Sequence, residues 1–207
     1  MREIVLDTET TGLDFRGGDR VIEVGCVELI NHVRTGKDLQ FYCSVDKKIN
    51  ESATKIHGLT NGFLNKHKNF KQNAHKLMDF IKKDILIIHN AEFDLGFLNN
   101  ELNLINLPPL ENKVVDTVLL ARKTLNTRIA NLDHLCKRFD IDLSSRKLHG
   151  ALLDCNLLAD VYLELKGGKQ TAFELKNEGQ KTSMNGKKPT KNTKEIAKVK
   201  INEEEMR

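Results

Sequence analysis

The chain has 207 residues, 39% hydrophobic and 30% charged, which suits one soluble globular domain plus an appendage. No stretch approaches the ~20 consecutive apolar residues that span a bilayer, so no membrane-embedded segment is expected. The formal charge of +4 is uneven: positions 166–207 hold 11 Lys and Arg against 6 Glu, leaving 22 of the 33 basic and 23 of the 29 acidic residues in positions 1–165, which excludes a basic nucleic-acid wrapper there.

The N-terminal stretch Met1-Arg2-Glu3-Ile4-Val5-Leu6-Asp7 reads directly as a strand and has neither the apolar core nor the cleavage site of a secretion signal, so a cytoplasmic location is expected. Residues 4–6, 21–30 and 39–45 have the β-branched and apolar density of strands, with turn-prone Thr11-Gly12 and Arg16-Gly17-Gly18-Asp19 after the first. Phe70, Ala74, Leu77, Met78 and Ile81 fall at helical spacing. Residues 84–89 form a short apolar run, as in a strand buried on both faces. A helical pattern then runs from Phe93 through Leu98 and Leu102 and is closed by Pro108-Pro109. Val114-Val115 reads as a short strand, and helices are predicted over 118–125, 129–139 and 151–165.

Strands first, then strands alternating with helices, predict an α/β fold with a mixed central sheet flanked by helices. Gly167-Gly168 ends the last helix, and positions 176–200 are rich in Lys, Asn, Thr and Gly with almost no apolar residues. Such a segment buries too little surface to offset its ordering entropy. The expected organisation is therefore a domain over 1–166 and a disordered Lys-rich tail over 167–207. There is no internal repeat, dinucleotide fingerprint or phosphate-binding P-loop. The four cysteines, Cys26, Cys43, Cys136 and Cys155, are scattered without metal-finger spacing and read as reduced small hydrophobes.

The chemistry-bearing residues lie at element boundaries. Asp7 and Glu9 are two apart at the end of the first strand, so both carboxylates share a face. Like charges that close repel unless a cation lies between them, although an acid pair is equally what a strand shows on entering a polar turn. Asn90-Ala91-Glu92-Phe93-Asp94 follows the second buried strand. With Asn90 as the cap, Asp94 lies about one turn into the helix, where the positive helix end also favours an acid. His149-Gly150-Ala151-Leu152-Leu153-Asp154 opens the last helix. Five residues turn a helix by ~140°, so His149 belongs on the loop or first turn while Asp154 is fixed on the helix. A neutral imidazole there can accept a proton near pH 7. Jointly, four acids and one histidine make a hydrolytic site. Its oxygen ligands suit two hard divalent ions, Mg²⁺ or Mn²⁺, rather than zinc.

Asp7-Thr8-Glu9-Thr10-Thr11-Gly12-Leu13 resembles the first motif of the DEDDh (DnaQ-like) 3′→5′ exonucleases. The segment from Asn90 to Asp94 is similar to the second motif, and His149 to Asp154 to the third. The likeness covers roughly residues 2–165. Within the family, Ile56-His57-Gly58-Leu59, Leu86-Ile87-Ile88-His89 and Ala121-Arg122-Lys123 resemble the proofreading branch of bacterial DNA polymerase III.

The resemblance implies a ribonuclease H-like fold and removal of mismatched 3′-terminal nucleotides from a single-stranded DNA end. It assigns Asp7, Glu9, Asp94 and Asp154 to two divalent cations, and His149 to the role of general base. Thr8, Thr10, Leu13, His57 and Phe93 would surround the terminal nucleotide. Phe93 reads equally as a helix-to-core anchor, His57 as a cap of the Ile56-His57-Gly58 turn, and Asp116 as a turn carboxylate or a support to the site. The implied partners are a polymerase catalytic subunit and a sliding clamp, the latter through Gln170-Thr171-Ala172-Phe173-Glu174-Leu175. Whether a small accessory subunit joins them is left open. An RNA-trimming exonuclease of the same chemistry and a non-catalytic interaction module are the alternatives.

Overall fold

The computed structural model of the chain describes residues 1–167. The expected tail beyond residue 167, with the 170–175 stretch, lies outside the described residues. Five strands form one sheet in the order β3-β2-β1-β4-β5: β1 (Arg2–Thr10), β2 (Val21–Ile30), β3 (Val33–Tyr42), β4 (Ile85–Ile88) and β5 (Val114–Asp116). Strands β1, β2 and β3 pair antiparallel, whereas β4 pairs parallel with both β1 and β5, giving the expected mixed sheet.

Helices cover both faces, which is why the central strands lack polar alternation. Ile4 and Leu6 of β1 and Leu86 and Ile88 of β4 pack with helices α3 (Phe70–Ile81) and α4 (Ala91–Leu104). Val5 and Ile87 point the other way, into a core with α5 (Thr117–Leu125), α6 (Leu132–Arg138) and α7 (Ala151–Leu165). By the two-residue period, Asp7 and Glu9 continue the Val5 face and look toward α7. All four cysteines are free and buried.

Several boundaries differ from expectation for local reasons. Strand β3 begins at Val33 rather than 39, because Asn31 (φ 50°) and His32 (φ 63°) make a two-residue hairpin turn. Its first half is exposed and polar, as an edge strand allows, so apolar density misses it. Two short helices, α1 (Glu51–His57) and α2 (Asn61–Leu64), fill a stretch with no strong apolar period. Helix α6 starts later than expected because Asn131 caps it, its side chain accepting the His134 N–H at 2.8 Å.

Asn90 precedes α4 but does not cap it with its side chain; it sits at φ 67°, ψ 60°. Asp116 serves instead: its Oδ2 accepts the Ala91 N–H at 3.0 Å, while Oδ1 accepts from Val118 at 2.8 Å at the start of α5. This one carboxylate closes two helix ends.

Helix α7 lies directly on the sheet. A Cβ at Gly25 of β2 would come within 2.4 Å of the backbone of Ala151 and Leu152, so only glycine admits the helix at this height. Beyond its last turn, Gly167 adopts φ 120°, in keeping with the expected end of the helix.

Candidate active site

Strand β1 delivers Asp7 and Glu9 to the end of the sheet, opposite Gly25 and Glu23 of β2. Gly25 carries no side chain, so α7 can settle over this patch and bring Asp154 above it. His149 precedes the helix and is tied to α1 through its backbone N–H, donated to the Ile56 carbonyl at 3.0 Å. Off the helix, it escapes the rotation that would separate it from Asp154: Nδ1 of His149 lies 3.3 Å from Asp154 Oδ2. The ligand atoms of Glu9, His149 and Asp154 all fall within 4.8 Å of one another.

Asp7 and Asp94 complete the acid cluster without joining that compact trio. Asp94 is buried on α4, and the Thr8 hydroxyl donates to its Oδ1 at 2.7 Å. Burial pushes the Asp7 carboxyl well above the usual range, and Asp94, Glu9 and Asp154 add to the rise. Glu9 is pushed up to about 8 by burial and by the charges of Asp154 and Glu23. Burial lifts Asp94 to about 7 against the opposing Thr8 hydrogen bond. Such groups lack enough positive charge nearby to be comfortably ionised, which is the condition a bound divalent cation relieves. The oxygen donors with one imidazole fit a hard divalent ion.

Asp154 behaves differently. Burial acts to raise its pKa, but Arg146 reverses the outcome and holds it below the ordinary value. The guanidinium grips both oxygens, Nε to Oδ1 at 2.6 Å and Nη2 to Oδ2 at 2.7 Å. Nη2 also lies 3.0 Å from His149 Nδ1, which donates to Asp154 or accepts from Arg146 according to its tautomer.

Two cavities flank the cluster, and His149 lines both. One, of about 280 Å³, is lined by Asp7, Asp154, Arg146 and His89. The other, of about 590 Å³, is lined by Glu9, Thr10, Leu13, Ile56 and His57. Leu13 and Ile56 are exposed apolar groups beside an otherwise polar basin, a surface suited to the face of a base. Gly12 lines the same cavity, and the Thr10 hydroxyl donates to the Gly12 carbonyl at 2.5 Å, bracing the loop after β1.

His57 is buried at the end of α1. Its Nδ1 accepts the Leu59 N–H at 2.9 Å, a turn-capping bond, while Nε2 is buried with no hydrogen-bond partner among the described residues. Burial lowers its pKa. Phe93 is half-buried and stacks on Phe97 with ring centroids 4.8 Å apart, as a core anchor does. Neither Thr8 nor Phe93 lines the larger cavity.

Two residues here, Arg146 and Glu23, escaped the motif reading. Arg146 lies in the polar run Ser144-Ser145-Arg146-Lys147, which looks solvated, yet its side chain is only 7% exposed. Glu23 had a usable signal, being one of two acids, with Glu28, inside a predominantly apolar strand, where an unpaired charge is costly. Gln40 Nε2 donates to it at 2.7 Å, and the Ala151 and Leu152 N–H groups at the open end of α7 partly offset the rise that burial imposes on its pKa. His89 lies just past β4, with Nδ1 2.8 Å from the Thr117 hydroxyl.

The Exonuclease family model (RNase_T) matches residues 4–162. The chain is 44% identical over 187 residues to the DNA polymerase III subunit epsilon of Rickettsia felis, covering 88% of this chain and 82% of that one. It is 40% identical over 193 residues to the protein of that name from Escherichia coli K12, covering 89% and 79%. Among solved structures, exonuclease X in complex with 5′ overhanging duplex DNA superposes with a TM-score of 0.62 at 21% identity, covering 79% of this chain and 90% of that one.

Proposed function

We propose a function from the premise that this chain belongs to the RNase_T exonuclease family and, within it, to the epsilon subunits of DNA polymerase III. It is a 3′→5′ exonuclease that acts on DNA in proofreading, and it uses divalent metal. The residue assignments that follow are our reading. The observation that carries them is the convergence of Glu9, His149 and Asp154 within 4.8 Å.

Asp7, Glu9, Asp94 and Asp154 would hold two divalent cations, Mg²⁺ or Mn²⁺. The raised pKa values of Asp7, Glu9 and Asp94 support this set. When bound, the cations offset the charge of the phosphodiester and lower the cost of forming hydroxide from water. The larger cavity receives the terminal nucleotide, with Leu13 against the base and Thr10 and His57 at its walls; Thr8 acts at one remove, through its hydrogen bond to Asp94, and Phe93 through its packing on Phe97.

His149 acts as general base. In the tautomer with a proton on Nδ1, shared with Asp154, Nε2 offers its lone pair to the attacking water. As that proton is taken, the water oxygen bonds to phosphorus and the P–O3′ bond breaks. A nucleoside 5′-monophosphate leaves, and the departing O3′ takes a proton from solvent to become the new 3′ hydroxyl of the shortened strand. Mismatched ends enter more readily because they cost less to unpair.

No helix among the described residues is long and apolar enough to cross a membrane, and we infer a cytoplasmic enzyme beside its polymerase subunit. Contact with a sliding clamp through the 170–175 stretch is part of the same reading. A time course on a 3′-mismatched DNA primer, with and without EDTA and beside an RNA of the same sequence, tests the proposal. Faster release of DNA than RNA nucleotides, abolished by EDTA, is expected. Equal or faster RNA trimming would move the assignment to an RNA-processing exonuclease.

A further inference from the structure

Arg146 stands in a place that needs explaining. Three of its nitrogens are engaged with acids or with the imidazole of the site, and none of the three sequence motifs includes it. Nε and Nη2 take both oxygens of Asp154, Nη1 reaches Asp133 Oδ1 at 2.5 Å, and Nη2 lies 3.0 Å from His149 Nδ1. The side chain is 7% exposed, as deep as Asp154 itself at 6%. Burying a guanidinium is costly unless its donors are satisfied, and the site meets them with the carboxylates of Asp154, from the third motif, and Asp133, from α6.

The fork matters more than the charge. A guanidinium with two parallel N–H groups fixes the plane of a carboxylate, which a single ammonium cannot do. Oδ1, which accepts only from Nε, retains a second lone pair for a cation, and Asp154 remains within 4.8 Å of the ligand atoms of Glu9 and His149 while held in this way. Asp133 anchors the opposite edge of the guanidinium, so Arg146 also ties the loop before His149 to α6.

We propose that Arg146 is a positioning residue of the exonuclease site, holding the Asp154 carboxylate in the plane in which it ligates the divalent cation. The proposal rests on Asp154 being a cation ligand. Outer partners that orient a ligating carboxylate are typically worth 10–100-fold in metal affinity or activity.

The test uses the full chain and Mn²⁺ itself as probe, with affinity read by titration calorimetry or by the free-Mn²⁺ paramagnetic resonance signal. Arg146→Met should weaken Mn²⁺ binding by ~10-fold or more and lower kcat at saturating Mn²⁺, with KM for the primer changed less than about twofold. Arg146→Lys, which keeps the charge but not the fork, should fail to restore either quantity. If Arg146→Met loses its cooperative melting transition, Arg146→Lys carries the test alone.

Parental or tighter Mn²⁺ binding by Arg146→Met overturns the proposal, since the guanidinium would then compete with the cation rather than aim its ligand. Full restoration by Arg146→Lys overturns the requirement for the fork. Asp154→Ala separates the two levels. If it binds Mn²⁺ like the parent, the reading of Asp154 as a ligand fails. If it loses binding while both Arg146 variants are unaffected, only the role given to Arg146 fails.

Discussion

Glu9 and Glu23 are direct partners across the antiparallel β1–β2 ladder, both buried and both on the face that receives α7. Two carboxylates so paired destabilise each other, and Glu23 is among the causes that raise the Glu9 pKa. Glu23 is held there by Gln40 and by the first N–H groups of α7. We therefore expect Glu23→Gln, which removes the charge but leaves one oxygen to serve Gln40 or the α7 N–H groups, to melt close to the parent in EDTA, the relieved repulsion offsetting the lost hydrogen bond. The same change should weaken Mn²⁺ affinity by about threefold to tenfold, because the site loses one negative neighbour. Unchanged affinity with a lower melting temperature would make Glu23 a packing residue only.

The raised carboxylates set the pH dependence of stability. Glu9 titrates at about 8 and Asp94 at about 7 in the folded chain, both far above their unfolded values. The folded state therefore binds more protons than the unfolded state between roughly pH 4 and 8. Stability from these groups is fully present below that window and is lost as pH rises through it. In EDTA, the melting temperature should fall from pH 5.5 to pH 8.5 by at least ~5 °C. Saturating Mg²⁺ or Mn²⁺ should remove most of the slope, since bound cations favour the ionised forms. A flat or rising profile in EDTA would show that the acids carry no such strain.

Within the proposed site, ligands and base should separate kinetically. Asp7→Ala and Asp154→Ala should each lower nucleotide release by at least ~100-fold, because each removes a charge assigned to direct cation contact. His149→Ala should lower kcat by ~10²- to 10⁴-fold while Mn²⁺ affinity changes much less, as expected of a proton acceptor. Measuring kcat and Mn²⁺ binding on the same preparations checks this. Near-parental turnover by Asp7→Ala would exclude the site as assigned.

What the sequence made legible follows from which signals are local. The two-residue period of β1 put Asp7 and Glu9 on one face, and the unbroken apolar run of β4 predicted a strand covered on both sides, as the cores on each face bear out. The helix start at Gly150 placed His149 on a loop beside Asp154. Arg146 was illegible because its partners, Asp133 and Asp154, are 13 and 8 residues away and meet only when α6 packs beside α7. Strand β3 was half-missed for the opposite reason: an edge strand with one solvated face needs little apolar density. The Asn90 cap failed because a better acceptor arrives from β5, 26 residues later, which no local pattern reveals.

That acceptor gives the last prediction. Asp116 Oδ2 takes the Ala91 N–H at 3.0 Å, and Oδ1 takes those of Val118 at 2.8 Å and Leu119 at 3.3 Å. Asp116 thus fixes the start of α4 as well as α5, and Asp94 lies in the first turn of α4. A lost cap costs about 1 kcal/mol, and two ends are lost together here, so Asp116→Ala should destabilise the protein by about 2 kcal/mol and lower its melting temperature by ~4–8 °C. Asp116→Asn keeps one oxygen acceptor and should recover the bond to one helix only, giving an intermediate value. Because α4 frays from the end that carries Asp94, nucleotide release should fall in the same order, Asp116→Ala below Asp116→Asn below the parent. Equal melting temperatures for Asp116→Ala and the parent would mean that water replaces the carboxylate at both helix ends without loss, and that Asp94 is held in place by Thr8 alone.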